Sequence, residues 1–198
     1  LLPKNPATLA LIGCQSWEVQ CGGRNLDKLY SYIEEHNLDL KYIVLTHGHG
    51  DHIEGLNDLA EKYPEAKVYV GEEEKDFLYN SELSLSDRIF GEFFKFKGEL
   101  HTVREGDMIG DFKVIDTPGH TIGSKSFYDE KAKILISGDT LFRRSYGRYD
   151  LPTGDLNMLC NSLEKLSKLP EETVVYSGHT EETTIGEEKK FLERVGIL

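Results

Sequence analysis

The sequence has 198 residues, enough for one globular domain with a buried core. Apolar residues make up 38% and charged residues 29%, too apolar for a disordered chain and too polar for a membrane protein, and no run nears the roughly 18 apolar residues of a spanning helix. Lys and Arg number 23 against 35 Asp and Glu, and the resulting net charge of −12 repels nucleic-acid backbones and anionic lipid alike. In chain order, Leu9 to Ile12 and Trp17 to Val19 read as short opening strands. Asn25 caps a helix with Leu26, Leu29, Tyr30 and Ile33 on its apolar face. Tyr42 to Leu45 is a buried strand, followed by a helix with Ile53, Leu56, Leu59, Ala60 and Tyr63 on one side and Pro64 at its end. Val68 to Val70 is a further strand, and Glu72 to Phe96 is helical in pieces. Later strands are Phe112 to Ile115, Ser124 to Tyr128, Ile134 to Ile136 and Val174 to Tyr176. Asp155 caps a helix carrying Leu156, Leu159, Cys160, Leu163 and Leu166, and Thr184 with Glu187 has capping-box spacing for the last helix.

No repeat, linker or composition shift divides the chain, so residues 1–198 are expected to form a single domain of alternating strands and helices. Cys14, Cys21 and Cys160 are an odd, widely spaced set without a CxxC pair, which fits neither a disulfide framework nor a thiolate zinc site. A reduced compartment, the cytoplasm, is the expected location. The first residues lack the basic start, apolar run and small-residue cleavage site of a secretory leader. Phe77, Tyr79, Phe90, Phe93, Phe94 and Phe96 are read mainly as core, with a lid over a site as the alternative.

The chemistry concentrates in Thr46-His47-Gly48-His49-Gly50-Asp51-His52, where three imidazoles and a carboxylate follow directly on an apolar strand. Imidazole nitrogen and carboxylate oxygen are the ligands a borderline divalent ion takes. Three later strands end the same way, in a glycine-containing turn and one candidate ligand: Thr117-Pro118-Gly119-His120, Ser137-Gly138-Asp139 and Ser177-Gly178-His179. In sheets covered by helices, the carboxyl edge of the strands is where sites assemble. His36 and His101 fall outside this pattern and receive no role.

These motifs, together with Gly138-Asp139-Thr140-Leu141-Phe142 and Gly147-Arg148-Tyr149-Asp150-Leu151-Pro152, resemble the metallo-β-lactamase-fold hydrolases. Within that group the likeness is to the short glyoxalase II-like (hydroxyacylglutathione hydrolase-like) members. The resemblance implies an α/β (α+β) fold, a four-layer αβ/βα sandwich of two mixed sheets with outer helices. It further implies that His47, His49 and His120 bind one metal, that Asp51, His52 and His179 bind a second, and that Asp139 bridges them. Two divalent ions are thus expected, zinc first, with iron and manganese as the other candidates. The implied activity is hydrolysis of a small-molecule thioester such as S-lactoylglutathione by a metal-bridging hydroxide, with Asp51 orienting the hydroxide as well as binding metal. Arg143, Arg144 and Arg148 follow Asp139 closely, and Arg148 and Arg143 are the candidate contacts for a substrate carboxylate; salt bridges to nearby acids are the alternative role. Neither nucleic acid nor membrane is expected as a partner, and the sequence specifies no oligomeric state. The glutathione-holding helical domain of the longer glyoxalase II enzymes is expected to be absent.

The surroundings of the motifs depart from the family pattern. Thr8-Leu9-Ala10-Leu11 stands where Asn-x-Tyr-Leu is common, and Gln20-Cys21-Gly22-Gly23 where an Asp-Pro-Gly-Gly-like turn is common. Glu54, Ser177 and Thr180 replace a usual glycine, proline and glycine. Residues behind a metal loop orient its ligands, so these changes bear on rate and substrate. Three other activities stay open at this point: a persulfide dioxygenase with a single iron on His120, Asp139 and one histidine of the first run; a lactonase; and a metal-binding protein without strong catalysis.

Overall fold

The computed structural model describes residues 7–12, as backbone, and residues 26–198. The strand expected at Trp17 to Val19, the cap at Asn25, and Cys14, Gln20 and Cys21 lie outside the described residues.

Four strands form the first sheet: β1 (Ala7–Ile12), β2 (Asp39–Leu45), β3 (Lys67–Gly71) and β4 (Leu100–Val103), in that order and with parallel pairings. The second sheet is mixed. It contains β5 (Met108–Ile109), β6 (Phe112–Asp116), β7 (Lys125–Asp129), β8 (Ile134–Gly138), β11 (Val174–Ser177) and β12 (Thr183–Thr184), in the order β12-β11-β8-β7-β6-β5. Only β8 and β11 pair in parallel there. A small antiparallel ribbon, β9 (Leu141–Phe142) with β10 (Ser145–Tyr146), follows β8.

The layers follow from alternation along the strands, since successive side chains point to opposite faces. Ile43 and Leu45 of β2 join a cluster with Leu29 and Ile33 of α1 (Asp27–Glu35) and Leu56 and Leu59 of α3 (Leu56–Lys62), while Val44 between them faces the other way. Val44 meets Val103, Val114, Phe127 and Ile136 in a cluster drawn from both sheets. The alternate residues of the second sheet, Ile115, Tyr128, Leu135 and Val175, pack against Leu159, Leu163 and Leu166 of α6 (Leu156–Leu166) and Leu192 of α7 (Ile185–Val195). Helix, sheet, sheet and helix are thus held by three apolar contacts. Strands covered on both faces need continuous apolar runs, as β2 and β8 have. No helix among the described residues is long and apolar enough to cross a membrane.

The caps behave as their residue types dictate. Asp155 accepts a hydrogen bond from the Met158 N–H (2.8 Å) to start α6, and Thr184 accepts from the Glu187 N–H to start α7. The helix expected from Ile53 to Tyr63 is divided into α2 (Gly50–Ile53) and α3, with Gly55 capping the second piece. Glycine weakens a helix interior, and the break lets a short first turn carry Asp51 and His52 separately from the packed second piece. The segment after β3 is helical in pieces, as expected: a 3-10 helix (Glu72–Tyr79), α4 (Ser81–Ser84) and α5 (Ser86–Phe90). Of its aromatic rings, Phe77, Phe94 and Phe96 are core, Phe90 packs at the edge, and Tyr79 and Phe93 are exposed.

Candidate metal centre

Four strand ends deliver the residues singled out above. β2 runs into His47, His49, Asp51 and His52; the turn after β6 carries His120; Asp139 directly follows β8; His179 stands two residues past β11. Because β8 and β11 are parallel neighbours, with the Gly178 N–H donating to the Gly138 carbonyl (3.0 Å), Asp139 and His179 emerge side by side. Gly178 is required by close approach: a Cβ there would lie 1.9 Å from Asp139 Oδ1.

All seven residues converge. Three overlapping groups, His47/His49/His120, His47/His52/Asp139 and Asp51/His52/His179, each have ligand atoms within 4.8 Å of one another. His49 Nδ1 lies 2.9 Å from His120 Nε2, and His52 Nε2 lies 3.4 Å from both His179 Nε2 and Asp139 Oδ1. Asp139 Oδ2 reaches His179 Nε2 at 3.1 Å and His120 Nε2 at 3.6 Å, so one carboxylate touches both halves of the cluster. Asp51 Oδ2 is 3.2 Å from His179 Nε2. The three-histidine half is buried, whereas Asp51 and His179 keep 37% and 38% of their side chains exposed and form the open side.

Outer contacts orient the rings. The Nδ1–H of His120 donates to the Arg148 carbonyl (2.7 Å), which leaves Nε2 aimed into the cluster. His47 Nδ1 contacts Thr46 Oγ1 at 3.2 Å, so its Nε2 faces inward. Ser177 and Thr180, two of the departures from the family pattern, bond to each other (2.8 Å between hydroxyls), and Thr180 Oγ1 accepts the Arg143 N–H (3.0 Å). They fasten the turn bearing His179 to the β9–β10 ribbon.

The electrostatics are those of a cluster built around cations. Burial holds His47 well below the usual imidazole range, His49 at about 3, and lowers His120. Hydrogen bonds to Asp139 and Asp51 lift His179 to about 10. Burial opposes the charge of Asp139, but His52 and His179 outweigh it and hold the carboxyl well below the ordinary range; the same balance lowers Asp51. His47 Nε2 and Asp139 Oδ1 are buried without a hydrogen-bond partner, and buried polar atoms are rarely left so unless something else occupies them. The donor set, five imidazoles and two carboxylates without thiolate, suits divalent ions of borderline hardness.

The arginines are engaged at the surface. Arg148 makes a two-pronged ion pair with Asp150 (2.8 Å each), and Arg143 pairs with Glu181. Arg144 donates its backbone N–H to buried Glu188. His36 bonds to the Tyr32 carbonyl and His101 faces Glu99, both away from the cluster. Sequence reasoning missed Glu74. It is fully buried, and its carboxylate accepts the N–H groups of Gly48 and Gly123, each at 2.8 Å. Burial pushes its carboxyl upward against the pull of these bonds. Only its neighbours in the acidic run, the exposed Glu72 and Glu73, behave as such a run suggests.

Comparison with known proteins agrees with this architecture. The probable metallo-hydrolase YqgX of Bacillus subtilis is 41% identical over 164 residues, covering 80% of this chain and 77% of that one. The hydroxyacylglutathione hydrolase GloC of Haemophilus influenzae is 33% identical over 175 residues, covering 85% and 82%. A crystal structure of TTHA1623 in a di-iron-bound form superposes with a TM-score of 0.76 at 35% identity, over 83% of this chain and 82% of that one. A family model described as the metallo-beta-lactamase superfamily, whose fold binds divalent metals, matches residues 18–179. The sandwich is therefore that of the metallo-beta-lactamase superfamily of metallo-hydrolases, to which this chain belongs.

Proposed function

We propose that the protein hydrolyses a small-molecule thioester such as S-lactoylglutathione at a centre of two divalent ions, zinc by preference. His47, His49 and His120 would hold one ion, Asp51, His52 and His179 the other, and Asp139 both. The observation that carries this reading is the overlap of the three ligand groups: the middle one, His47/His52/Asp139, shares His47 with the first and His52 with the third. The hydroxyacylglutathione hydrolase name of a relative covering most of both chains supports the substrate class.

Bound divalent ions supply Lewis acidity toward a carbonyl oxygen and lower the pKa of water. The protein's own groups do the rest. Fixed tautomers, such as that imposed on His120 by the Arg148 carbonyl, keep the ligand nitrogens aimed before substrate arrives. Asp51, on the open side, accepts a hydrogen bond from the attacking water and aims it at the acyl carbon. The water oxygen adds to the acyl carbon, forming the new C–O bond while its proton passes by way of Asp51 to solvent, and collapse of the tetrahedral adduct then breaks the C–S bond. The sulfur leaves as thiolate without a general acid, because a thiol pKa near 8.5 makes it a good leaving group, and it takes its proton from solvent. Arg148 and Arg143 hold the substrate's carboxylates by exchanging their present partners Asp150 and Glu181.

The test is a thioester assay on protein loaded with zinc, alongside Asp139→Ala treated identically. The expected result is release of free thiol by the parent protein and loss of both zinc and turnover in the variant. Oxygen uptake with glutathione persulfide and no thioester cleavage would overturn the proposal, as would full turnover with fewer than one ion per chain.

A further inference from the structure

We infer that Glu74 is a positioning residue that aligns the three-histidine half of the centre and sets how tightly that half holds its ion. The inference rests on the two-metal reading above. Glu74 sits in the 3-10 helix after β3, outside every motif used so far. Its Oε2 accepts the N–H of Gly48, the residue between His47 and His49. Its Oε1 accepts the N–H of Gly123, three residues beyond His120. These partners are 26 and 49 residues away in sequence, so one buried carboxylate joins the two separate peptide segments that present all three histidines.

The packing leaves this clamp little slack. Phe77, one turn along the same helix, is buried against Gly48, and the Glu74 side chain itself lies against Gly123. Removing one oxygen acceptor therefore releases one segment rather than letting both settle closer. The spacing of His49 Nδ1 and His120 Nε2, 2.9 Å, is what that release alters. The other half of the centre is held differently. His179 is fastened by Ser177 and Thr180 and by the β8–β11 pairing. Charge adds to geometry: Asp51 and Asp139 both pair closely with His179 (3.2 and 3.1 Å), whereas in the triad Asp139 reaches His120 at 3.6 Å. A buried anion behind their loops offsets the positive charge an ion brings there.

The experiment titrates zinc into metal-free protein against a competing chelator and resolves two stepwise affinities, for the parent chain, Glu74→Gln and Glu74→Asp. Glutamine keeps the shape but only one acceptor oxygen; aspartate keeps the charge but shortens the reach. The expected result is that one of the two affinities falls by roughly 10–100-fold in Glu74→Gln while the other is unchanged. Repeating the titration in a His179→Ala background, which removes the second half, assigns the weakened ion to the histidine triad. A merely structural role would shift both affinities or neither. Both affinities unchanged in Glu74→Gln, or the loss falling on the half that His179→Ala removes, overturns the inference. Should Glu74→Gln not fold by circular dichroism, the same titration on Glu74→Asp decides by the same criteria. Failure of the parent chain to bind two zinc ions would instead refute the two-metal reading.

Discussion

Gly178→Ala isolates the claim that the end of β11 is shaped to let Asp139 reach both halves of the centre. The added Cβ would stand 1.9 Å from Asp139 Oδ1 and 3.1 Å from His52 Cε1. Bringing the first contact to 3.0 Å, the closest such approach tolerated, requires a shift of about 1.1 Å (3.0 − 1.9) in a carboxylate that is nearly buried and hemmed in by His52, His120 and His179. Overfilling a packed region of this kind costs about 1–3 kcal/mol of stability. A displacement near 1 Å at the reacting centre lowers turnover by about 100-fold. The control is Gly196→Ala. Gly196 ends α7 in the left-handed region (φ +76°) with nothing within 4 Å of an added Cβ, so only backbone strain of about 1–2 kcal/mol is incurred. Measured side by side, both variants should lose comparable stability in urea, and only Gly178→Ala should lose zinc affinity and thioesterase rate. If Gly178→Ala keeps both within twofold of the parent, the steric argument is wrong.

Three further outcomes follow from the same geometry. Ser177→Ala and Thr180→Ala should each lose about 1 kcal/mol of stability, the second more because the Arg143 N–H loses its acceptor, and the double variant should lose about 0.5–1 kcal/mol less than their sum; strict additivity in urea titrations would show that the hydroxyl pair is not coupled. Zinc at about 1,000 times its dissociation constant should stabilise the metal-free protein by about 4 kcal/mol, a rise of roughly 8–16 °C in Tm, and a Tm indifferent to zinc in calorimetry would count against any ion in the cluster. Arg148→Gln should raise KM for S-lactoylglutathione by about two- to fivefold with kcat unchanged, the size expected of an exposed charge pair; a fall in kcat alone would assign Arg148 to the chemistry and not to binding.

What could be read without coordinates was local. The strand-turn-ligand pattern of His47, His120, Asp139 and His179 is legible because an apolar run, a glycine turn and a coordinating side chain are all neighbours in sequence. The caps at Asp155 and Thr184 are legible for the same reason, since a cap acts within three residues of itself. The helix expected around Ile53 to Tyr63 is divided in the structure, because apolar spacing alone does not register the break that sets Asp51 and His52 apart.

Tertiary contact decided the rest. The parallel register of β8 and β11 sets Asp139 beside His179, forty positions apart, and no local signal encodes which strands become neighbours. Arg143 found its acid at Glu181, 38 positions away, a choice made by the charge the folded surface brings within reach, whereas the Arg148 partner Asp150 is only two residues along the chain. Glu72, Glu73 and Glu74 are chemically the same side chain in one run, yet only the third is buried and grips the loops of the metal centre. Residue type fixes what an atom can donate, accept or coordinate. Whether it meets water, a peptide N–H or a cation depends on the packing of sheets and loops distant along the chain.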